Sequence, residues 1–291
     1  MVPVESRFVT VRDGLRLHAR DYGSGASALL PVVCLPGLSR TAEDFERLAV
    51  RLAGDGRRVV ALDYRGRGLS AWDPDPKRYD LRVESNDIAD VLTALGIGRA
   101  VFVGTSRGGL HIMLLGALRP SFLAGAVLND IGPVIEPAGL ARIKGYIGKA
   151  PPVRSWEDAL ATMKGIADGR FTDLDDAEWR AYAQLTFQET DGRFQGRYDP
   201  GLMINLAAMD LGKIPELWPQ YDGLAHLPLL VVRGANSDLL SSETAAAMLA
   251  RHPGAELVTV PGQGHAPLLR DHPTIERIAT FVARCGNAPP T

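Results

Sequence analysis

The sequence predicts a doubly wound α/β domain: a mostly parallel sheet of eight strands, helices on both faces, and one helical insertion. Three observations lead there. Six short runs, LLPVVCL, VVALD, AVFVG, AGAVLN, LLVVRG and AELVTV, are apolar and β-rich, as expected of strands covered on both faces. Helical patterns separate them, and strand–helix alternation implies right-handed crossovers between parallel strands. Between about residues 134 and 227 no apolar strand run occurs. We therefore divide the chain into a core of residues 1–133 and 228–291 and a cap of residues 134–227.

The chain opens with alternation in Arg7-Phe8-Val9-Thr10-Val11 and again in Leu15-Arg16-Leu17-His18-Ala19, with Asp13-Gly14 between. This reads as a hairpin of two half-exposed strands and brings the strand count to eight. Helices are expected at roughly 43–53, 83–95, 107–119, 242–250 and 273–284, with Gly54, Gly96 and Pro120 as stop signals. The insertion contains helix-like pieces and three of the four tryptophans, Trp156, Trp179 and Trp218. We expect it to be a mobile helical cap whose tryptophans either line a pocket or fill a core of its own. A short polar tail runs from Gly286 to Thr291.

Composition narrows the function. With 291 residues, 46% hydrophobic, 23% charged and a formal net charge of −2, the chain is of the globular class. That balance gives no reason to expect nucleic acid as a partner. Two cysteines, Cys34 in an apolar run and Cys285 near the C-terminus, imply neither a disulfide framework nor a cysteine metal site. The N-terminal MVPVESRFVTVRDG lacks a signal-peptide pattern, and no apolar run approaches the roughly 18 residues of a membrane span. A cytoplasmic protein acting on a small molecule is expected, with no membrane partner, metal or cofactor; monomer and homodimer both fit.

The chemistry centres on Gly104-Thr105-Ser106-Arg107-Gly108, which fits G-x-S-x-G between an apolar strand and the helical run LHIMLLGAL. A serine there sits on a strained turn, with the first helical amides aimed at whatever it attacks. A structural turn with an N-cap serine is the bland alternative. Among the six histidines, His265 is the one directly after the last strand, in Pro261-Gly262-Gln263-Gly264-His265, at the sheet edge where ligand groups collect. His18, His111, His226, His252 and His272 fall on strands, helices or their ends. Two carboxylates could orient His265: Asp238, after the penultimate strand and in Ser, Asp, His order, and Asp130, in Asn129-Asp130-Ile131-Gly132. Asp238 is favoured on chain order. The amides of Leu38 and Arg107 can form an oxyanion hole. The side chains of Arg107 and Arg40 are candidate substrate-binding groups, because a guanidinium grips a carboxylate through paired hydrogen bonds; Arg107 could equally pair with Asp130 or Asp63 behind the turn.

With these residues in hand, the sequence resembles the α/β-hydrolase fold family from about Phe8 to Val282. The resemblance rests on Leu35-Pro36-Gly37-Leu38, Asp63-Tyr64-Arg65-Gly66-Arg67-Gly68-Leu69-Ser70, Gly104-Thr105-Ser106-Arg107-Gly108-Gly109, Arg233-Gly234 with Asp238, and Gly264-His265. It implies a cap over the active site and a pocket between cap and sheet. Two departures stand out: Pro36-Gly37 replaces the family's common His-Gly, and Arg107 stands where an apolar residue is common. Serine at position 106 argues against relatives with an aspartate nucleophile, the epoxide hydrolases and haloalkane dehalogenases.

Gly66-Arg67-Gly68-Leu69-Ser70-Ala71 also fits a dinucleotide fingerprint, but Trp72-Asp73-Pro74-Asp75-Pro76 follows where a helix is required. No nucleotide cofactor is expected. The expected function is a cofactor-independent serine hydrolase of an ester, a lactone or an activated carbon–carbon bond, its substrate bearing a carboxylate if Arg107 and Arg40 read one. Enol-lactonases, carboxylesterases, ring-cleavage-product hydrolases and haloperoxidase-like enzymes share this apparatus. The alternative from another class is a ligand-binding member of the same fold with slow or no turnover.

Overall fold

A computed structural model describes residues 2–23, 27–149 and 152–285; the expected polar tail, residues 286–291, lies outside the described residues. The first two strands, β1 (Val4–Thr10) and β2 (Arg16–Tyr22), form the expected antiparallel hairpin, with Thr10 paired to Arg16. Then strands and helices alternate: β3 (Val32–Leu35), α1 (Glu46–Gly54), β4 (Val59–Leu62), α2 (Leu81–Ala94), β5 (Ala100–Thr105), α3 (Arg107–Leu118) and β6 (Leu123–Asn129). After the insertion come β9 (Leu229–Gly234), α9 (Ser242–Arg251), β10 (Ala255–Val260) and α10 (His272–Cys285). The eight strands lie in the order β1-β2-β4-β3-β5-β6-β9-β10. The hairpin joins antiparallel, and every pairing from β4 to β10 is parallel.

Side-chain alternation across the sheet builds two cores. In β3, Val33 and Leu35 pack on one face with Ile88, Leu92, Ile112 and Met248 of α2, α3 and α9. Val32 and Cys34 pack on the other with Leu48, Leu52, Ile278 and Phe281 of α1 and α10. The central strands are buried along their whole length because helices cover both faces. No helix among the described residues is long and apolar enough to cross a membrane.

Between β6 and β9 lie α4 (Pro137–Tyr146), α5 (Trp156–Ala167), α6 (Asp176–Thr186), β7 (Phe187–Thr190), β8 (Arg193–Gly196), α7 (Leu202–Ala208) and α8 (Trp218–Asp222). The expectation of an all-helical insertion is corrected here: β7 and β8 form an antiparallel hairpin. Its strands are short and mostly polar, so they offer no apolar run. Its turn, Asp191-Gly192, has both residues at positive φ, 52° and 71°, the Asp-Gly turn that matches the twist of two strands.

Candidate active site

The Ser106 turn is built by close approach. Ser106 has φ 51° and ψ −112°, a conformation costly for any residue with a side chain and held only where neighbours determine it. A Cβ at position 104 would stand 2.4 Å from the Gly108 carbonyl carbon, and one at position 108 would stand 2.0 Å from the Leu35 carbonyl oxygen. Both glycines are therefore obligatory, and they let α3 start against β3 and β5. The Ser106 amide donates to the Asn129 carbonyl at 2.9 Å, which ties the turn to the end of β6.

Ser106 Oγ lies 2.9 Å from His265 Nε2, and His265 Nδ1 lies 2.8 Å from Asp130 Oδ2. With Nδ1 protonated, the imidazole donates to Asp130 and its Nε2 accepts from the serine hydroxyl. The structure thus corrects the preference for Asp238: the carboxylate at His265 is Asp130. Asp130 is fully buried at the end of β6, at φ 57°, a left-handed conformation that Asp tolerates better than most residues. Its Oδ1 accepts from the Gly234 amide at 2.8 Å and its Oδ2 from the Ser237 hydroxyl at 2.6 Å. Asp238 instead makes a two-pronged pair with Arg142 of α4 at 2.6 and 2.8 Å, with Arg170 at 3.2 Å. Burial opposes its charge, but Arg142 outweighs this and holds the carboxyl below its ordinary range.

Beside Ser106 runs the loop Pro36-Gly37-Leu38. A Cβ at position 37 would stand 3.9 Å from the Ser106 Cβ. Tyr64 donates to the Pro36 carbonyl at 3.1 Å and Arg67 Nε to the Leu38 carbonyl at 2.8 Å. Among the described residues, neither the Leu38 nor the Arg107 amide donates to a protein acceptor, so both can serve an oxyanion.

Arg107 does not reach the cavity. Its Nε donates to Glu84 Oε2 at 2.6 Å and its Nη2 to the Tyr79 carbonyl at 3.2 Å. The expectation that it binds substrate is corrected: the guanidinium turns behind the elbow, to Glu84 rather than to Asp130 or Asp63. Glu84 is fully buried and also accepts from Arg67 Nη1 at 2.6 Å and from His111 Nε2 at 3.1 Å. Burial opposes its charge, but Arg107 and Arg67 prevail and hold the carboxyl far below the carboxylate range. One carboxylate therefore anchors both residues whose amides flank Ser106, Arg107 directly and Leu38 through Arg67. Sequence reasoning missed Glu84. The signal was there: it stands four residues before Ile88 and eight before Leu92, on the buried stripe of α2.

Above Ser106 and His265 lies a cavity of about 90 Å³, floored by the Leu38 loop and roofed by Ile143, Tyr146 and Tyr182 of the insertion. Arg40, the other candidate substrate-binding arginine, lines it, but its guanidinium is engaged. It pairs with Asp44 at 2.6 Å through both Nε and Nη2, donates to Thr186 and lies 4.7 Å from the centroid of the Tyr182 ring. Of the insertion's tryptophans, Trp179 packs with Met163, Phe171 and Phe187 in a cluster whose buried members all belong to that segment. Trp156 meets Phe194 edge to face, and Trp218 meets Tyr221 in the same way. None of the three lines this cavity.

The profile of the alpha/beta hydrolase family matches residues 32–277. The 3-hydroxybutyrate-oligomer hydrolase of Cupriavidus necator is 36% identical over 264 residues, which are 88% of this chain and 89% of that protein. The 2-(acetamidomethylene)succinate hydrolase of Mesorhizobium japonicum is 29% identical over 86% of this chain and 85% of that one. The crystal structure of an alpha/beta hydrolase from Novosphingobium aromaticivorans superposes with a TM-score of 0.89 at 42% identity, covering 98% of this chain and 99% of that one. The sheet order, the serine turn and these matches together make the chain a member of the alpha/beta hydrolase family.

Proposed function

We propose that the protein is a serine esterase acting on uncharged carboxylic esters of small hydroxy acids. The observation that carries this reading is the unbroken chain from Ser106 Oγ through His265 to the buried Asp130, facing a cavity beside two amides without acceptors among the described residues. Ser106 Oγ attacks the ester carbonyl carbon while His265 Nε2 takes its proton. The carbonyl oxygen becomes an oxyanion that accepts from the Leu38 and Arg107 amides, donors already oriented before reaction. When the tetrahedral species collapses, the C–O bond to the leaving alcohol breaks and that oxygen takes the proton from Nε2. Water then repeats the sequence on the acyl-serine. Asp130 holds the imidazole in the tautomer and orientation this requires.

The charge state of the substrate follows from the arginines. Arg107 is committed to Glu84, Arg40 to Asp44 and Arg142 to Asp238. A substrate carboxylate gripped by one of these arginines would compete with its buried or half-buried acid and leave that acid without its partner. This favours a neutral reacting half over the carboxylate-bearing one expected from sequence. The similarity to an oligoester hydrolase supports the same substrate class. A fluorophosphonate probe tests the mechanism: labelling should be rapid on wild type and absent on Ser106→Ala, which should also lose at least ~10³-fold in kcat on p-nitrophenyl butyrate. Folded wild type that neither labels nor hydrolyses the ester would reject an enzyme in favour of a binding protein.

A further inference from the structure

The cavity does not end above Ser106. It adjoins a second chamber of about 280 Å³ with aromatic walls from Trp72, Phe187 and Phe194, roughly three times the volume at the serine. Arg40, Tyr146 and Tyr182 border both chambers. Neither the Tyr146 nor the Tyr182 hydroxyl has a hydrogen-bond partner among the described residues, whereas the Tyr198 hydroxyl, in the same chamber, accepts from the Gly148 amide at 3.1 Å. Burial, and then Tyr182, push the Tyr146 phenol up to about 12, and burial raises Tyr182 as well. Both remain protonated donors at neutral pH. Among the described residues, the arginines that approach this junction are each paired: Arg40 with Asp44, Arg142 with Asp238 and Arg270 with Glu178.

We propose that the second chamber takes a further unit of a linear, uncharged oligoester, and that Tyr146 and Tyr182 donate to its ester carbonyl. An ester oxygen needs a donor and brings none, so it satisfies a phenol without leaving a polar group unpaired. The aromatic walls suit the methyl and methylene groups of the chain. A free carboxylate at the same point would meet only arginines already paired with acids.

This inference rests on the esterase reading, and the experiment separates the two. Initial rates are compared on p-nitrophenyl acetate, which carries one ester, and on the methyl-capped linear trimer of 3-hydroxybutyrate. In Tyr146→Phe and Tyr182→Phe the ratio of kcat/KM for trimer over acetate should fall about ten-fold each, and further in the double variant. A ratio unchanged in the double variant overturns the proposal. The uncapped trimer acid should react within roughly three-fold of the methyl-capped one, and a preference of more than about ten-fold for the acid would also overturn it. If wild type cleaves neither ester and takes no fluorophosphonate, the esterase reading fails and this proposal fails with it.

Discussion

The floor of the site and its roof are built on opposite terms. Below Ser106 the key polar side chains are engaged: Asp130 accepts from His265, Ser237 and Gly234, and Glu84 from Arg67, Arg107 and His111. Above it, Tyr146 and Tyr182 line the cavity with hydroxyls that have no hydrogen-bond partner among the described residues. Bond formation and cleavage demand groups already fixed where charge will develop, because reorientation during reaction costs what the site is meant to save. Recognition works the other way, since a donor already satisfied inside the protein gains little from a ligand. In the proposed function, the floor serves the chemistry and the roof the choice of what undergoes it.

The sharpest way to break this contrast is to exchange the two aspartates' fates. Asp130→Asn should lower kcat by about 10⁴-fold, the effect of forcing a histidine into the wrong tautomer. Asp238→Asn should leave kcat within a few-fold and instead cost about 1 kcal/mol of stability, because it loosens Arg142. A crippled Asp238→Asn with an active Asp130→Asn would reverse the assignment.

A smaller effect is expected one layer deeper. Glu84→Gln should lower kcat by about ten- to a hundred-fold while KM moves little, because Arg67 and Arg107 lose the charge that fixes the two amides proposed to hold the oxyanion. It should also weaken binding of a boronic acid, which mimics the tetrahedral species, more than binding of a product acid. Equal weakening of both would mean that Glu84 supports the fold alone.

The smallest effect is in pH. Burial keeps the His111 imidazole below its ordinary value even though Glu84 favours its charge. An imidazole that is neutral in the fold but free to protonate when unfolded stabilises the protein above the unfolded value of about 6.5 and loses that contribution as pH falls below it. Between pH 7.5 and 5.5 the denaturant midpoint should drop, with at most about 1.4 kcal/mol from this group. His111→Gln should flatten that slope; a slope identical to wild type would place its origin elsewhere.

Much of this molecule is legible in its sequence, for a physical reason. The doubly covered strands must be apolar on both faces, so VVCL, VVAL and AVFVG stand out without any partner being known. Ser106 is legible because its turn needs glycines at 104 and 108, and His265 because it directly follows the last strand. Arg107 was not. Its direction is set by Glu84, 23 residues away on another helix, and no local pattern encodes that meeting. The choice between Asp130 and Asp238 failed likewise, since both follow a strand at the same sheet edge. What separates them is the left-handed backbone of Asp130 and the grip of Gly234 and Ser237 upon it. In the insertion, polar strands hid a hairpin, and tryptophans drew attention that the tyrosines at the cavity warranted.

The siting of Asp130 has a consequence for how such a chain can be altered. Thr105 and Asn129 are paired across β5 and β6, so the serine and its distant carboxylate are each set one residue beyond the same rung of two adjacent strands. Their spacing is a property of the sheet and owes nothing to loop length. Everything between Asp130 and β9 can then be lengthened, shortened or traded for the corresponding segment of a relative without moving one against the other. A graft made at those two boundaries would carry a new preference for substrate onto an unchanged cutting edge.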